Sequence, residues 1–319
     1  MIRITDVTLC SLKNKAVPKR KLLELYQLLL KTGINFIEIN VPIYMLLKEN
    51  IERDKTILRV QDPTEISHYP GFCKYICRYS GFDTPLGTIS EVQINDIREI
   101  TLMKKLSDYQ NIRIVGLDDL LQHDYLSVFN KLKKINNGRI EFCPQNNYYC
   151  ASALATEWVL NGGNNAVVSF FGIGGFAALE EVIMALRIMK RYKPNLDLSV
   201  FVQIKSLYEE LTDEIIPKNK AVIGSSIFEV ESGIHVDGIL KNSSNYEPFE
   251  PSIVGMERKI IIGKHSGRTT IEIKLKEYGI SMSNEMIAEL LLYIQQESIR
   301  LGRSITDEEF VLITNKLSR

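Results

Sequence analysis

The sequence predicts a parallel (β/α)8 barrel of the TIM type, followed by a small lid subdomain of loops and helices. Short apolar runs alternate with amphipathic helical stretches along most of the chain, the pattern of repeated βα units that close into a barrel. After Gly224 the alternation stops and gives way to Gly-rich loops, then helices. The length of 319 residues suits one barrel-sized domain plus a smaller appendage, read here as 1–226 and 227–319.

Taken in order, Ile2 to Thr5 reads as the first strand, Lys19 to Lys31 as a Leu-rich amphipathic helix ended by Gly33, and Phe36 to Ile39 as the second strand. The stretch from Ile57 to Ser107 is punctuated by Pro63, Pro70, Gly71, Pro85 and Gly87, and its periodicity is poor. Barrel closure requires two or three units there without fixing where. The pattern then resumes: strand Ile112 to Val115, helix Asp124 to Lys134, strand Arg139 to Phe142, helix Ala151 to Leu160, strand Ala166 to Phe170, helix Ala177 to Lys190, strand Leu198 to Val202 and helix Ser206 to Leu211. Beyond Gly224 a strand at Lys259 to Ile262 precedes helices at Thr269 to Glu277 and Asn284 to Ile299. Thr306 and Glu309 form a capping box for the last helix. The Leu290 to Tyr293 run is assigned to a core or a dimer contact.

Composition narrows the function classes. Basic and acidic side chains balance at 39 each, so there is no electrostatic case for nucleic acid or an anionic membrane surface. The start lacks a basic segment followed by an apolar one, and no apolar run reaches spanning length. The five cysteines form no C-x-x-C pair, which fits a reduced cytoplasm.

The densest stretch is Glu231 to Gly238, with His235 at its centre; Tyr246, Glu247 and Pro248 follow, then Gly263-Lys264-His265-Ser266-Gly267-Arg268. An imidazole and a phenol among glycines are read as acid/base equipment on a loop. Together with Asn219 to Gly224, these motifs follow one another in the order found after the barrel of the homocitrate synthase, isopropylmalate synthase and citramalate synthase family, which the segment resembles. That resemblance implies a condensation of acetyl-CoA with a 2-oxoacid, then thioester hydrolysis, in which a divalent metal at the barrel mouth polarises the oxoacid carbonyl.

The barrel departs from that pattern where the metal should bind. Asp6, Thr8 and Leu9 match the family's opening, but Cys10 stands at its Arg and Ser11 at its metal-binding Asp. Cys143 and Gln145 take the two His positions, and Phe176 falls where the ligating Asn belongs. No metal is therefore expected on this chain by itself. A thiolate site of Cys10, Cys143 and Cys150 is the alternative, weighed against the ordinary use of scattered cysteines as small apolar packing groups. Glu38 keeps the family's Ile-Glu pattern.

Lost metal ligands beside retained lid motifs imply a division of labour. The resemblance is nearest to the omega-type subunit of a split homocitrate synthase of nitrogen-fixing bacteria, whose product is a ligand of the nitrogenase iron-molybdenum cofactor. It implies an alpha-type partner with the metal-binding barrel, and acetyl-CoA and 2-oxoglutarate as substrates. His235 would move a proton, and Tyr246 would orient or donate to a substrate oxygen. Glu231 either holds the imidazole or makes a local loop contact; His265 and Arg268 are read as loop-supporting residues. The alternatives are a non-catalytic stabilising or regulatory partner, and a stand-alone isopropylmalate or citramalate type synthase.

Overall fold

Strands β1 (Arg3–Asp6), β2 (Phe36–Asn40), β3 (Thr56–Arg59), β4 (Lys74–Arg78), β5 (Thr88–Ile94), β6 (Asn111–Gly116), β7 (Ile140–Pro144) and β8 (Asn165–Ser169) pair in sequence order, all parallel. β8 returns to β1, with Asp6 aligned to Val168, and this closes the barrel. The computed structural model describes residues 2–12, 17–79, 84–100, 111–135, 139–193 and 197–317. By contact the chain forms two compact units, residues 1–217 with 221–223, and 218–220 with 224–319. Among the described residues no helix is long and apolar enough to cross a membrane.

The first strand leads into a single turn, α1 (Thr8–Ser11), and the surrounding layer begins with α2 (Lys19–Lys31), which buries Leu22, Leu25, Tyr26, Leu28 and Leu29 at helical spacing. α3 (Val41–Leu47) is capped by the Asn40 side chain, which accepts the Ile43 N–H at 3.0 Å. α4 (Tyr125–Lys134) is capped in the same way by Asp124. On α5 (Ala151–Leu160), Trp158 is fully buried against Phe129 and Phe142 at ring distances of 5.2 and 5.5 Å, and its indole N–H donates to the Asn165 carbonyl.

The interior of the barrel holds an ion-pair belt rather than only aliphatic side chains. Register puts Glu91 beside Arg113 and Arg113 beside Glu141 on one face. Arg113, 1% exposed, pairs with Glu38, donates to Glu141 at 2.8 and 3.1 Å, and lies 3.6 Å from Glu91. Arg59 donates to Glu38 at 2.5 Å and holds Glu91 with both Nη atoms; Lys74 sits 3.7 Å from Glu141. Burial by itself would push the Glu38 carboxyl up, but the guanidinium groups of Arg113 and Arg59 outweigh it and hold Glu38 below the ordinary carboxylate value. One layer nearer the strands' N-terminal ends, Ile57, Ile76 and Ile89 pack with Phe36.

The stretch that resisted assignment supplies β3, β4 and β5. Its residues 80–83 and 101–107 lie outside the described residues. Two other expectations are corrected. Leu198 to Val202 is not a strand: a helical turn at Leu198–Val200, capped by Asp197 accepting the Ser199 N–H at 3.0 Å, runs into α7 (Phe201–Thr212). The eighth strand position is already taken by β8, and Phe201, Ile204, Leu207, Tyr208 and Leu211 are buried at helical spacing. Ala177 and Ala178, expected to open a helix, pair with β8 as a short strand, β9, and α6 (Leu179–Met189) starts after them.

In the second unit β10 (Glu229–Val230) and β11 (Lys259–Ile260) form a small parallel pair, joined through α8 (Gly233–Lys241). α9 (Arg268–Glu277), α10 (Asn284–Leu301) and α11 (Asp307–Leu317) enclose a core of Ile271, Leu275, Ile287, Leu290, Ile294 and Phe310. Each such burial contributes about 1.5–3 kcal/mol before entropy is counted. The predicted capping box is present, with Thr306 N–H donating to Glu309 at 2.9 Å and Glu309 N–H to Thr306 Oγ1 at 3.3 Å. Of the Leu290 to Tyr293 run, Leu290 is core, whereas Leu292 and Tyr293 are exposed.

Candidate functional site

The mouth of the barrel, at the C-terminal ends of its strands, is divided into two halves. On the side of β1, β6, β7 and β8 the side chains are apolar: Val7, Val115, Cys143 and Val167 form one buried cluster, with Phe176 packed on it. Gly174, at φ +81°, brings Ser11 and Phe176 together, since a Cβ there would lie 2.9 Å from both Ser11 Oγ and Phe176 Cε2. Ser11 spends its hydroxyl on the Val7 carbonyl at 2.8 Å. Gln145 accepts from Gln93 Nε2 at 3.0 Å.

Burial raises the Cys143 thiol far above its ordinary value and does the same for Cys10, so both are held protonated. Cys150 donates to the Tyr148 carbonyl at 3.2 Å. Among the described residues no three His, Cys, Asp or Glu side chains converge as metal ligands. A back-bonded hydroxyl, protonated thiols, an engaged amide and a phenyl ring do not fit a divalent cation in this corner.

Next to it Asp6 accepts both the N–H and the hydroxyl of Thr8, at 3.0 and 2.8 Å, while Thr8 Oγ1 accepts from the Phe170 N–H at 2.7 Å. Burial raises the Asp6 carboxyl to about 7, against those two hydrogen bonds.

The other half, on β2 to β5, is polar. Asn40, Gln61 and Arg78 line a cavity of about 550 Å³ whose floor includes Arg59. A second hollow of about 400 Å³ shares Arg78 and continues along Glu91 and Gln93. Sequence reasoning missed this half because three of its four strands, β3 to β5, could not be placed.

In the C-terminal unit the stretch taken for a loop is the helix α8, which presents His235 to solvent. His235 and Tyr246 meet with ring centroids 5.6 Å apart, and Tyr246 remains 45% exposed. Gly238 makes the pairing possible: a Cβ there would lie 2.2 Å from the Tyr246 hydroxyl, so any larger residue displaces the ring. Beside Tyr246, Glu247 is clamped by Arg258, which donates at 2.8 and 2.5 Å.

Glu231 takes the local role. Its Oε1 accepts the His265 backbone N–H at 2.9 Å and its Oε2 the Ser304 hydroxyl at 3.4 Å. The His265 carbonyl in turn accepts the Gly233 N–H at 3.2 Å, tying the Gly263–Arg268 loop to the start of α8. Arg268 opens α9, donates to Glu272 at 2.7 Å and bonds Asn284 at the head of α10. The residues singled out thus form two groups: His235 with Tyr246, and Glu231 with His265.

The family described as homocitrate synthase post-HMGL domain-like matches residues 222–300. The chain is 31% identical over 305 residues to the homocitrate synthase omega subunit of Clostridium pasteurianum, covering 89% of this chain and 86% of that one. It is 37% identical over 230 residues to 2-isopropylmalate synthase 2 of Caldanaerobacter subterraneus subsp. tengcongensis, covering 70% of this chain and 59% of that one. The barrel is similar to that of the Bacillus subtilis HMG-CoA lyase, with a TM-score of 0.55 at 15% identity over 68% of this chain and 95% of that one, a likeness of fold alone.

Proposed function

The chain belongs to the homocitrate synthase and isopropylmalate synthase family, and from that premise we propose that it is one subunit of a two-subunit homocitrate synthase. The reaction joins the methyl carbon of acetyl-CoA to the carbonyl carbon of 2-oxoglutarate; water then cleaves the thioester to give homocitrate and CoA. Its place would be nitrogenase iron-molybdenum cofactor synthesis in the cytoplasm, a setting with which five free cysteines agree. The observation that carries the reading is the apolar corner of Val7, Val115, Cys143, Val167 and Phe176, two of whose members, Cys143 and Phe176, stand where the resemblance implies metal ligands.

An alpha-type partner barrel would supply the divalent metal that makes the oxoacid carbonyl electrophilic. This chain contributes His235 and Tyr246 in trans. His235 is solvent-exposed, so its imidazole is open to a substrate, and it transfers the proton lost by the acetyl methyl or gained by the alkoxide. Tyr246, seated on Gly238, donates a hydrogen bond to a substrate oxygen or the hydrolytic water. Glu231 and His265 position that face by tying the Gly263–Arg268 loop to the start of α8, and Arg268 holds the head of α9 that follows this loop.

The test is release of free CoA from acetyl-CoA and 2-oxoglutarate by this chain, by the candidate partner, and by the two mixed. Activity in the mixture alone, lowered at least about a hundredfold by His235→Ala, is the expected result. A mixture indifferent to His235→Ala would make the chain a stabilising partner, and full activity of this chain unaided would overturn the division of labour.

A further inference from the structure

We propose that α10 is a self-association surface, whose outward face docks antiparallel onto the same face of a second copy of this chain. The surface includes neither His235 nor Tyr246, and it does not depend on the reaction assigned above.

A helix on the outside of a small core should bury one stripe and give the opposite one to water. α10 does the first with Ile287, Leu290, Ile294 and Ser298. Its opposite face is not polar. Ala288, Leu292 and Ile299 fall on one line along the helix and all are exposed, Leu292 at 59% and Ile299 at 66%. One exposed leucine would mean nothing, but a line of apolar side chains along the middle of an 18-residue helix is a surface that water does not favour. Leu292 and Ile299 are seven residues apart, the repeat that keeps one seam of a helix against a partner helix.

Charge beside the line decides what covers it. Glu289 and Arg300 lie on the same flank, the acid in the first half of the helix and the base near its end. Glu289 is exposed and makes no ion pair among the described residues. Arg300, with a side chain 68% exposed, spends Nε and Nη2 on Glu297 of its own helix, at 2.8 and 2.6 Å, which leaves its Nη1 donors for another carboxylate. Two copies laid antiparallel about a two-fold axis between Leu292 and Ile299 bring Leu292 of one against Ile299 of the other. The same operation sets Glu289 of each beside Arg300 of the other, so the pairing is satisfied twice. Parallel packing would instead put like charge against like. Tyr293, 44% exposed, stands between the two charges on that flank and closes the edge of the seam. Acid first and base last along one apolar line makes this helix complementary to itself, which a partner of other sequence has no need to match.

The experiment is sedimentation equilibrium of the isolated full chain up to high micromolar concentration. A reversible species of twice the chain mass is expected, and Leu292→Glu should weaken it at least about a hundredfold. Glu289→Arg and Arg300→Glu, each by itself, should weaken it about tenfold by bringing like charges together. An equimolar mixture of those two single variants should recover the wild-type affinity, because only between them does each arginine again meet a glutamate. The mixture also carries the test if Leu292→Glu melts early. A chain that stays monomeric, a dimer indifferent to Leu292→Glu, no recovery on mixing the charge variants, or association only with the candidate partner chain would each overturn the assignment.

Discussion

The barrel interior and the α8 face keep their polar side chains in opposite ways. Inside the barrel, Glu38, Arg113 and Glu141 are removed from water and held by charged partners, so their chemistry is directed at one another. On α8 the imidazole of His235 has no hydrogen-bond partner among the described residues, and Tyr246 leaves nearly half its surface open. Local packing there, through Gly238, spends structure on presenting two side chains rather than on burying them. Polar groups in the belt hold the fold, whereas those on α8 gain little within the chain and are available to something outside it.

Breaking the belt should have the largest effect on stability. Arg113→Met removes the one cation that meets Glu38, Glu91 and Glu141 together, leaving carboxylates buried without full compensation. A loss of about 3–5 kcal/mol is expected, read as a lower midpoint in urea melts. An unchanged midpoint would mean that the belt is not what holds the barrel, and the contrast between the two regions would fail.

The reverse should hold at Gly238. Alanine in place of a helical glycine stabilises by roughly 0.5–1 kcal/mol, and the displaced Tyr246 ring is half exposed, so Gly238→Ala should melt no earlier than the wild type. Turnover by the two-chain mixture should nonetheless fall about tenfold, because the new Cβ occupies the place of the tyrosine hydroxyl. Unaltered turnover would remove Tyr246 from the reaction.

Much of this organisation is legible in the sequence, and the failures have physical causes. α2, α5 and β6 were found because their apolar residues follow a helical or buried-strand pattern. β3 to β5 were not placed, because inward positions on them carry Arg59, Lys74, Arg78 and Glu91, which disguise buried strands as polar segments. The polar groove lies on those same strands and was lost with them. Leu198 to Val202 imitates a buried strand because a short apolar run has no period of its own, and only closure of the barrel by β8 decides against it. The apolar corner was readable from Cys143 and Phe176. The helicity of the His235 stretch was not, because a glycine that admits a tyrosine ring looks in sequence like one that opens a loop.

Asp6 and Glu38 sharpen the comparison within the barrel itself, with the smallest effect. Both carboxyls are buried, yet Glu38 lies beside guanidinium groups and is held low, whereas Asp6 has, among the described residues, only Thr8 as a hydrogen-bond donor and is raised to about 7. Between the unfolded carboxylate value near about 4 and that folded value, the folded chain binds a proton at Asp6 that the unfolded chain has released. Stability therefore declines as pH rises through this window and levels off above it. Asp6→Asn cannot titrate, so its stability relative to the wild type should improve steadily from about pH 4 to about pH 7 and then stay constant, as followed by urea melts at stepped pH. A difference that is flat across the window would mean that Asp6 finds a cationic partner as Glu38 does, and that the charge compensation of the belt extends to the apolar corner.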